Sequence, residues 1–467
     1  MKLEFFGAAQ TVTGSKHLLT TDKGTKVLLD CGMFQGSSVD GDILNRHFGF
    51  YPADIDYVFL SHAHIDHSGL LPRLVREGFE GKIYATPATI SLCEIMLADS
   101  AHIQQAEIKY VNQRRVRRNE PLLKPLYYAT DVDKCLARFE PVEYDTWTQI
   151  DEEVSLLFTH SGHILGAAAV NMKLKNDKGK EVAITFTGDI GRPNDKILKP
   201  PAPFPQADYI ICESTYGDRL HEPEPDLEAH LLRIVKETCV DNRGKLIIPA
   251  FSVDRTQEII YALDRLEHED KLPQIDVYLD SPLSVRATHI MNNHHECFNP
   301  EIIQYINIDG DAFGFPQLHY VSDVNESKAI NDENGPAIII SASGMAEAGR
   351  IKHHIRNNIE DSRNTILIVG YCTPDSLGGQ LRNGEKEVTI FGHEYPVKAR
   401  VVVMDSFSAH GDYEEMQEYL ACQDISKVKK LFLVHGEYET QEQFAVKLRD
   451  QGFKRVIIPE MGDEELL

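Results

Sequence analysis

Three imidazoles and a carboxylate stand within six residues, His62-Ala63-His64-Ile65-Asp66-His67. Nitrogen and carboxylate oxygen at this density form a metal-ligating set; they suit zinc and would also accommodate manganese or iron. The preceding run, IDYVFLS at 55–61, reads as a buried strand, and the following run, SGLLPRLVR at 68–76, reads as the opening of a helix. Side chains two apart on a strand share a face. His62 and His64 can therefore face one metal together, and Asp66 and His67, in the turn that follows, can face a second.

A dinuclear site needs more than four protein groups, one of them bridging. Three further segments offer them, each an apolar strand-like run that ends in a polar residue beside glycine. VSLLF at 154–158 leads into THSGHILGA, whose glycines put His163 on a tight turn. The run at 182–185 leads into FTGDIG, where Asp189 is presented at a strand end as a bridging carboxylate would be. KLFLV at 430–434 leads into His435-Gly436-Glu437. Each segment alone is a common turn; the ordered set is the signal.

This ordered set resembles the metallo-β-lactamase superfamily. The features that carry the resemblance are Asp30 in LLDCG, the HxHxDH run at 62–67, His163 and Asp189. About 245 residues separate Asp189 from His435, far more than that core needs. They hold YIICESTYGD at 209–218, IIPAFSVDRTQE at 247–258, DSPLSVRAT at 280–288, ISASGMAEAGR at 340–350, VGYCTPDSLGG at 369–379 and FSAHGD at 407–412. This series resembles the β-CASP branch, the nucleic-acid-processing group, over nearly the whole chain. Glu213 matches the branch's motif A, His410 its motif B and His435 its motif C. A histidine at motif C is similar to the RNA-directed members, which sets aside the DNA-directed ones.

The resemblance implies an α/β fold: a metallo-β-lactamase αββα sandwich interrupted by an inserted α/β β-CASP domain, with the active site in the cleft between them. It implies a metal-dependent ribonuclease, acting as endonuclease, as 5′-to-3′ exonuclease or as both. The cofactor would be two Zn²⁺, with Mn²⁺ as the alternative. His62, His64 and His163 would hold one ion, Asp66, His67 and His435 the other, and Asp189 would bridge. A shared hydroxide would attack phosphorus in line, leaving 5′-phosphate and 3′-hydroxyl ends. His410 would protonate the departing oxygen as general acid, with Glu213 orienting it. Asp30 would accept a hydrogen bond from a ligand histidine and fix its tautomer. The alternatives are a scaffold of an RNA-processing complex, which would show lost ligands, and a thioester or lactone hydrolase, which would have no use for His410 or the inserted domain.

A net charge of −24 stands against a nucleic-acid partner, because phosphate contacts call for basic surface. Any basic groove must be local. One candidate is RRVRR at 114–118, on a helix predicted over 91–119, though such a run also suits a solvated face. Arg255, Arg286, Arg350, Lys352, His353 and His354 lie in or beside the branch motifs as candidates for phosphate. Ser341, Ser343 and Gly344 could offer backbone N–H groups to an anion. An acidic exterior predicts weak, salt-sensitive non-specific binding and a preference for threaded single-stranded RNA.

The length, 467 residues, suggests two or three domains. The expected divisions are 1–212 and 396–467 for the metallo-β-lactamase parts, with 213–395 inserted. Apolar runs at 399–404 and 428–434 are expected to return the chain to the first domain. Gly24 suits a hairpin turn, KPPAPFP at 199–205 breaks regular structure, and the acidic tail at 460–467 is expected to be loose. The eight cysteines form no CxxC pair and read as buried free thiols in a reducing compartment. With no apolar run near 18 residues and no leader pattern, a cytoplasmic protein without membrane contact is expected. The resemblance also admits a homodimer.

Overall fold

A computed structural model of the protein describes residues 1–35, 39–221, 226–370, 372–404 and 409–467. Tyr371, Phe407 and Ser408, in two of the motifs above, lie outside the described residues. The chain forms two compact units, residues 1–220 with 410–467 and residues 221–409.

The first unit contains two seven-stranded sheets. One runs in the order Glu464–Leu466, Lys2–Gly7, Lys16–Thr20, Lys26–Leu29, Tyr57–Phe59, Lys82–Ala85, Phe139–Pro141. The other runs Val456–Ile457, Lys430–Leu433, Tyr209–Cys212, Glu181–Phe186, Ala168–Lys175, Val154–His160, Thr148–Gln149. Lys2–Gly7 alternates half-buried and buried positions, and its inward Leu3 and Phe5 join Leu19, Leu29 and Phe59. These pack against Leu156, Phe158, Phe186, Ile211 and Phe432 of the other sheet, so the main core is the layer between the sheets. On the outer face of the second sheet, Ile210, Leu431 and Leu433 meet Met416, Leu420, Phe444 and Leu448 of two helices, Tyr413–Leu420 and Tyr438–Gln451.

The predicted long helix extends over Pro87–Arg117. Proline at its first position and Thr86, whose side chain accepts from the Thr89 N–H, start it. Its buried residues end at Ala101. Beyond that point it is solvated, and Arg114, Arg115 and Arg117 lie in the last turn, where cations favour the helix dipole. Gly24 turns the hairpin between Lys16–Thr20 and Lys26–Leu29 with φ +100°. The acidic tail is not loose: Glu464–Leu466 pairs antiparallel with Lys2–Glu4, and Lys2 and Lys430 ion-pair with Glu464 and Glu465.

The second unit carries a six-stranded sheet in the order Leu318–Tyr320, Val277–Leu279, Ala337–Ser341, Lys245–Pro249, Thr365–Ile368, Arg400–Val403, all pairs parallel. Its middle strands, AIIIS, KLIIP and TILI, are buried at every position, as parallel strands covered on both faces must be. Arg400–Val403 belongs here, parallel to Thr365–Ile368, and is not the expected return to the first domain. The units therefore divide at 220/221 and 409/410 instead of 212/213 and 395/396. Among the described residues no helix is long and apolar enough to cross a membrane.

Phe432 has no exposed surface and packs its ring 5.5 Å from that of Phe5 across the inter-sheet layer. Phe432→Ala should lower stability by about 3–5 kcal/mol, the range for a buried phenylalanine. A denaturant titration of the two proteins measures it.

Candidate metal centre

Strand direction brings the candidate residues to one end of the first unit. Lys26–Leu29 and Tyr57–Phe59 run parallel, so Asp30 and the loop carrying His62 leave the first sheet together. In the second sheet Glu181–Phe186, Tyr209–Cys212 and Lys430–Leu433 run parallel, so Asp189, Glu213 and His435 also leave at a common end. Val154–His160 reaches that same end through two antiparallel pairings and delivers His163.

The strand before the histidine run is shorter than the apolar pattern suggests and stops at Phe59. Asp30 ends it: Ser61 donates its backbone N–H to Oδ1 (2.8 Å) and its hydroxyl to Oδ2 (2.9 Å). His62 and His64 therefore lie in a loop, and Asp66 and His67 sit in the short helix Ile65–Ser68. Close backbone approach fixes these loops. A Cβ on Gly32 would fall 1.5 Å from the Asp66 carbonyl oxygen, and one on Gly191 would fall 1.8 Å from that of Gly162. The second contact ties the Asp189 loop to the His163 loop, with the Gly191 N–H donating to the Ser161 carbonyl at 2.7 Å.

Seven side chains converge in two sets that share Asp189. His64 Nδ1 lies 3.1 Å from His62 Nε2 and 3.2 Å from His163 Nε2, and Asp189 Oδ2 lies 3.5 Å from His62 Nε2 and 3.4 Å from His163 Nε2. In the second set His67 Nε2 is 3.2 Å from His435 Nε2, and His435 Nε2 is 3.5 Å from Asp66 Oδ2. Asp189 Oδ1 faces this set, 3.3 Å from His67 Nε2 and 3.7 Å from His435 Nδ1. Ring nitrogens this close cannot all carry protons, and their lone pairs converge as ligand lone pairs do. Asp189 Oδ1 is buried with no well-aligned hydrogen bond, facing His67 Nε2 and His435 Nδ1 at ion-pair distance, so only positive charge, on an imidazole or a bound metal, can offset its burial. The donor set fits divalent metal, with one Asp189 oxygen turned to each histidine set.

Electrostatics prepares the donors. Burial, helped by the neighbouring His67, holds His62 well below the usual imidazole range, and burial lowers His64 to about 4, so both are neutral. Burial would also neutralise Asp189, but His435, His67 and His62 outweigh it and keep the carboxyl well below its ordinary value. For His67 burial is overcome by Asp189 and Asp30, which raise it well above 6.5; occupancy by a cation must displace its proton. Asp30 Oδ2 accepts from His67 Nδ1 at 2.6 Å, which leaves Nε2 for the centre.

Next to both sets, His410 Nδ1 lies 3.1 Å from each oxygen of Glu213. Burial disfavours a charged His410, but the Glu213 carboxylate and its hydrogen bond, with Asp189 and Asp66 beyond, raise it to about 9. The His410 ring is 4.5 Å from that of His163, next to the centre. Glu213 also accepts from the Ile190 N–H, which orients it from the Asp189 loop.

Two positioning residues escaped the sequence reading. Thr215 donates its hydroxyl to Glu213 Oε2 (2.6 Å), so its oxygen accepts from His435 Nδ1 at 3.0 Å. A chain of hydrogen bonds thus joins His435, Thr215, Glu213 and His410. Ser61 Oγ lies 3.0 Å from His62 Nδ1 and turns that ring. Each stands one or two residues from a recognised motif position, the only signal the sequence offered.

The phosphate candidates from the branch motifs fall in the second unit, where Ser341, Arg350 and His354 gather on Asp280. Arg255 is buried against Glu258 and Asp254. Arg350 donates to Asp280 Oδ1 (2.5 Å) and to the Ser322 carbonyl (2.6 Å), and His354 meets Asp280 Oδ2 at 2.6 Å. All three bond internal partners. The Ser341 hydroxyl donates to the Asp280 carbonyl, and Ser343 bonds with Ala348. Gly344 lies under the Phe251 ring, where a Cβ would come within 2.7 Å. Arg286 is exposed on the helix Pro282–Met291, and His353 is exposed on the helix Ile351–Asn358.

A strand-end cluster of histidine and aspartate on two facing sheets defines a metallo-hydrolase. Residues 18–200 match the metallo-beta-lactamase superfamily domain, 256–381 the Beta-Casp domain, and 394–459 the Zn-dependent metallo-hydrolase RNA specificity domain. The chain is 36% identical to a ribonuclease of Thermus thermophilus over 94% of both chains. It is 30% identical to the transcription termination factor FttA of Methanocaldococcus jannaschii, over 98% of this chain and 70% of that one. It is 27% identical to cleavage and polyadenylation specificity factor 73 of Drosophila melanogaster, over 96% and 62%. A solved structure of a protein from Enterococcus faecalis shares the fold, with TM-score 0.54 at 14% identity over 100% and 99% of the two chains. The chain belongs to the β-CASP branch of the metallo-β-lactamase superfamily.

Asp30→Asn keeps the shape of the His67 contact but removes the charge and the acceptor pair. Divalent-metal affinity should fall about 10- to 100-fold, read by competition with a fluorescent chelator.

Proposed function

We propose that this protein is a metal-dependent ribonuclease that hydrolyses RNA phosphodiester bonds at two zinc ions. His62, His64 and His163 would hold one ion, Asp66, His67 and His435 the other, with Asp189 between them. The observation that carries this reading is the division of the Asp189 carboxylate, one oxygen toward each histidine set, with a charged His410–Glu213 pair alongside. The 36% identity to a ribonuclease supports RNA as the substrate. Nitrogen-rich sets favour zinc, and manganese is the alternative. Seven of the cysteines are buried free thiols, which supports a reducing, cytoplasmic setting.

Bound at these residues, two cations would lower the pKa of a water and offset the charge on the phosphate oxygens. The chain's own groups supply the rest. Glu213 holds the proton on His410 Nδ1, which directs the Nε2 proton to the departing 3′ oxygen, leaving a 3′ hydroxyl and a 5′ phosphate. Thr215 ties Glu213 to His435, so the acid and the metal ligand are set as one unit. Asp30 and Ser61 fix the tautomers of His67 and His62. A scaffold reading is disfavoured because all seven ligand side chains are present and convergent. A small-molecule hydrolase would have no use for the His410–Glu213 pair.

A time course on 5′-labelled single-stranded RNA and on DNA of the same sequence, with and without chelator, tests the function. RNA cleavage abolished by chelator is expected. Intermediate fragments identify an endonuclease, and immediate mononucleotide identifies a 5′-to-3′ exonuclease. His410→Ala should keep its metal, measured by elemental analysis, and lose about 10²- to 10⁴-fold in turnover.

His410 acts in its protonated form, so activity falls as pH rises through its pKa. Glu213 raises that pKa. Glu213→Gln should therefore move the alkaline limb of kcat to lower pH; a limb that stays in place would separate Glu213 from the acid.

A further inference from the structure

The second unit carries an aromatic side chain placed against its own local backbone preference. The strands Glu387–Ile390 and His393–Pro396 form a hairpin whose two-residue turn is Phe391-Gly392. Both residues have positive φ, +54° and +81°. Such turns favour Asn-Gly, and a phenylalanine there carries backbone strain that asparagine would not. The ring is nonetheless 47% exposed. The turn itself has no use for a phenyl group.

Basic groups from the helix Ile351–Asn358 surround it. Lys352 Nζ is 5.5 Å and the Arg356 guanidinium 5.8 Å from the ring centroid, and the His353 ring lies 4.7 Å away, tilted by 36°. Lys352 also lies 3.8 Å from the Glu347 carboxylate and Arg356 donates to Asn357 Oδ1, so the patch sets two partly covered cations beside two exposed rings. A flat apolar face beside cations is the chemistry that single-stranded nucleic acid recognises, base on ring and phosphate on cation. Acidic peptides would use the cations but not the strained ring.

We propose that Phe391 is a stacking platform for an unpaired base of the RNA, with Lys352 and Arg356 meeting the flanking phosphates. This rests on the ribonuclease reading and adds a substrate contact to it. The test compares Phe391→Asn, Phe391→Trp and the unaltered holoenzyme by initial rates on a 5′-labelled single-stranded oligoribonucleotide. Asparagine relieves the turn, so its melting temperature should match or exceed that of the unaltered protein. Its KM should rise about 5- to 100-fold, the loss expected for one base–aromatic stack, and tryptophan should hold KM near the original. A KM within twofold of the original for Phe391→Asn, with normal melting, overturns the platform while the ribonuclease reading stands. An equal rise in KM for tryptophan also overturns it. No RNA cleavage by the unaltered holoenzyme overturns both.

Discussion

The structure of the first unit depends on one buried carboxylate. Asp189 is 2% exposed and ringed by His62, His67, His163 and His435. Burial alone would drive it to the neutral acid, and burial alone would neutralise the imidazoles. Together they hold each other in place: the carboxylate stays charged because the rings face it, and the rings tolerate their crowding because it lies between them. Two sheets are needed to achieve this, since no single strand could bring these side chains round both oxygens. The histidine run comes from one sheet, and His163, Asp189 and His435 from the other. Glycines 32 and 191 let the loops touch at main-chain distance, which no side chain would permit.

What could be read from the chain divides along the same line. Residue type and spacing are local, so the run at 62–67 declares metal chemistry without any fold. The expected strand geometry of that run was wrong for a tertiary reason. Asp30, thirty-one residues before Ser61, takes the Ser61 N–H and ends the ladder early. Thr215 and Ser61 were passed over for the same cause. A hydroxyl in a motif has no visible role until the imidazole it bonds has been brought to it.

The fold shows the same asymmetry. Unbroken apolar runs at 245–249, 337–341 and 365–368 are legible as buried parallel strands because burial on both faces leaves no alternation. The run at 400–403 looks alike, and nothing in it says which sheet it joins; its pairing with Thr365–Ile368 decides that. The acidic tail misled through composition. Its carboxylates find Lys2 and Lys430, residues distant in sequence, and the pairing with the first strand follows.

Charge counting fails in a similar way and for a more instructive reason. The arginines in the motifs include two whose partners are internal carboxylates, Arg255 with Glu258 and Arg350 with Asp280. A buried guanidinium left without its carboxylate is strongly unfavourable, so these pairs are part of what holds the second unit together. The chain's excess of acid is thus not spread evenly against its base. Some of the base is enclosed with internal carboxylates, and does not offset the acid at the surface. An acidic protein of this kind cannot gather RNA by a broad positive field. On the reading proposed above, affinity would come instead from short-range contacts to phosphates and bases.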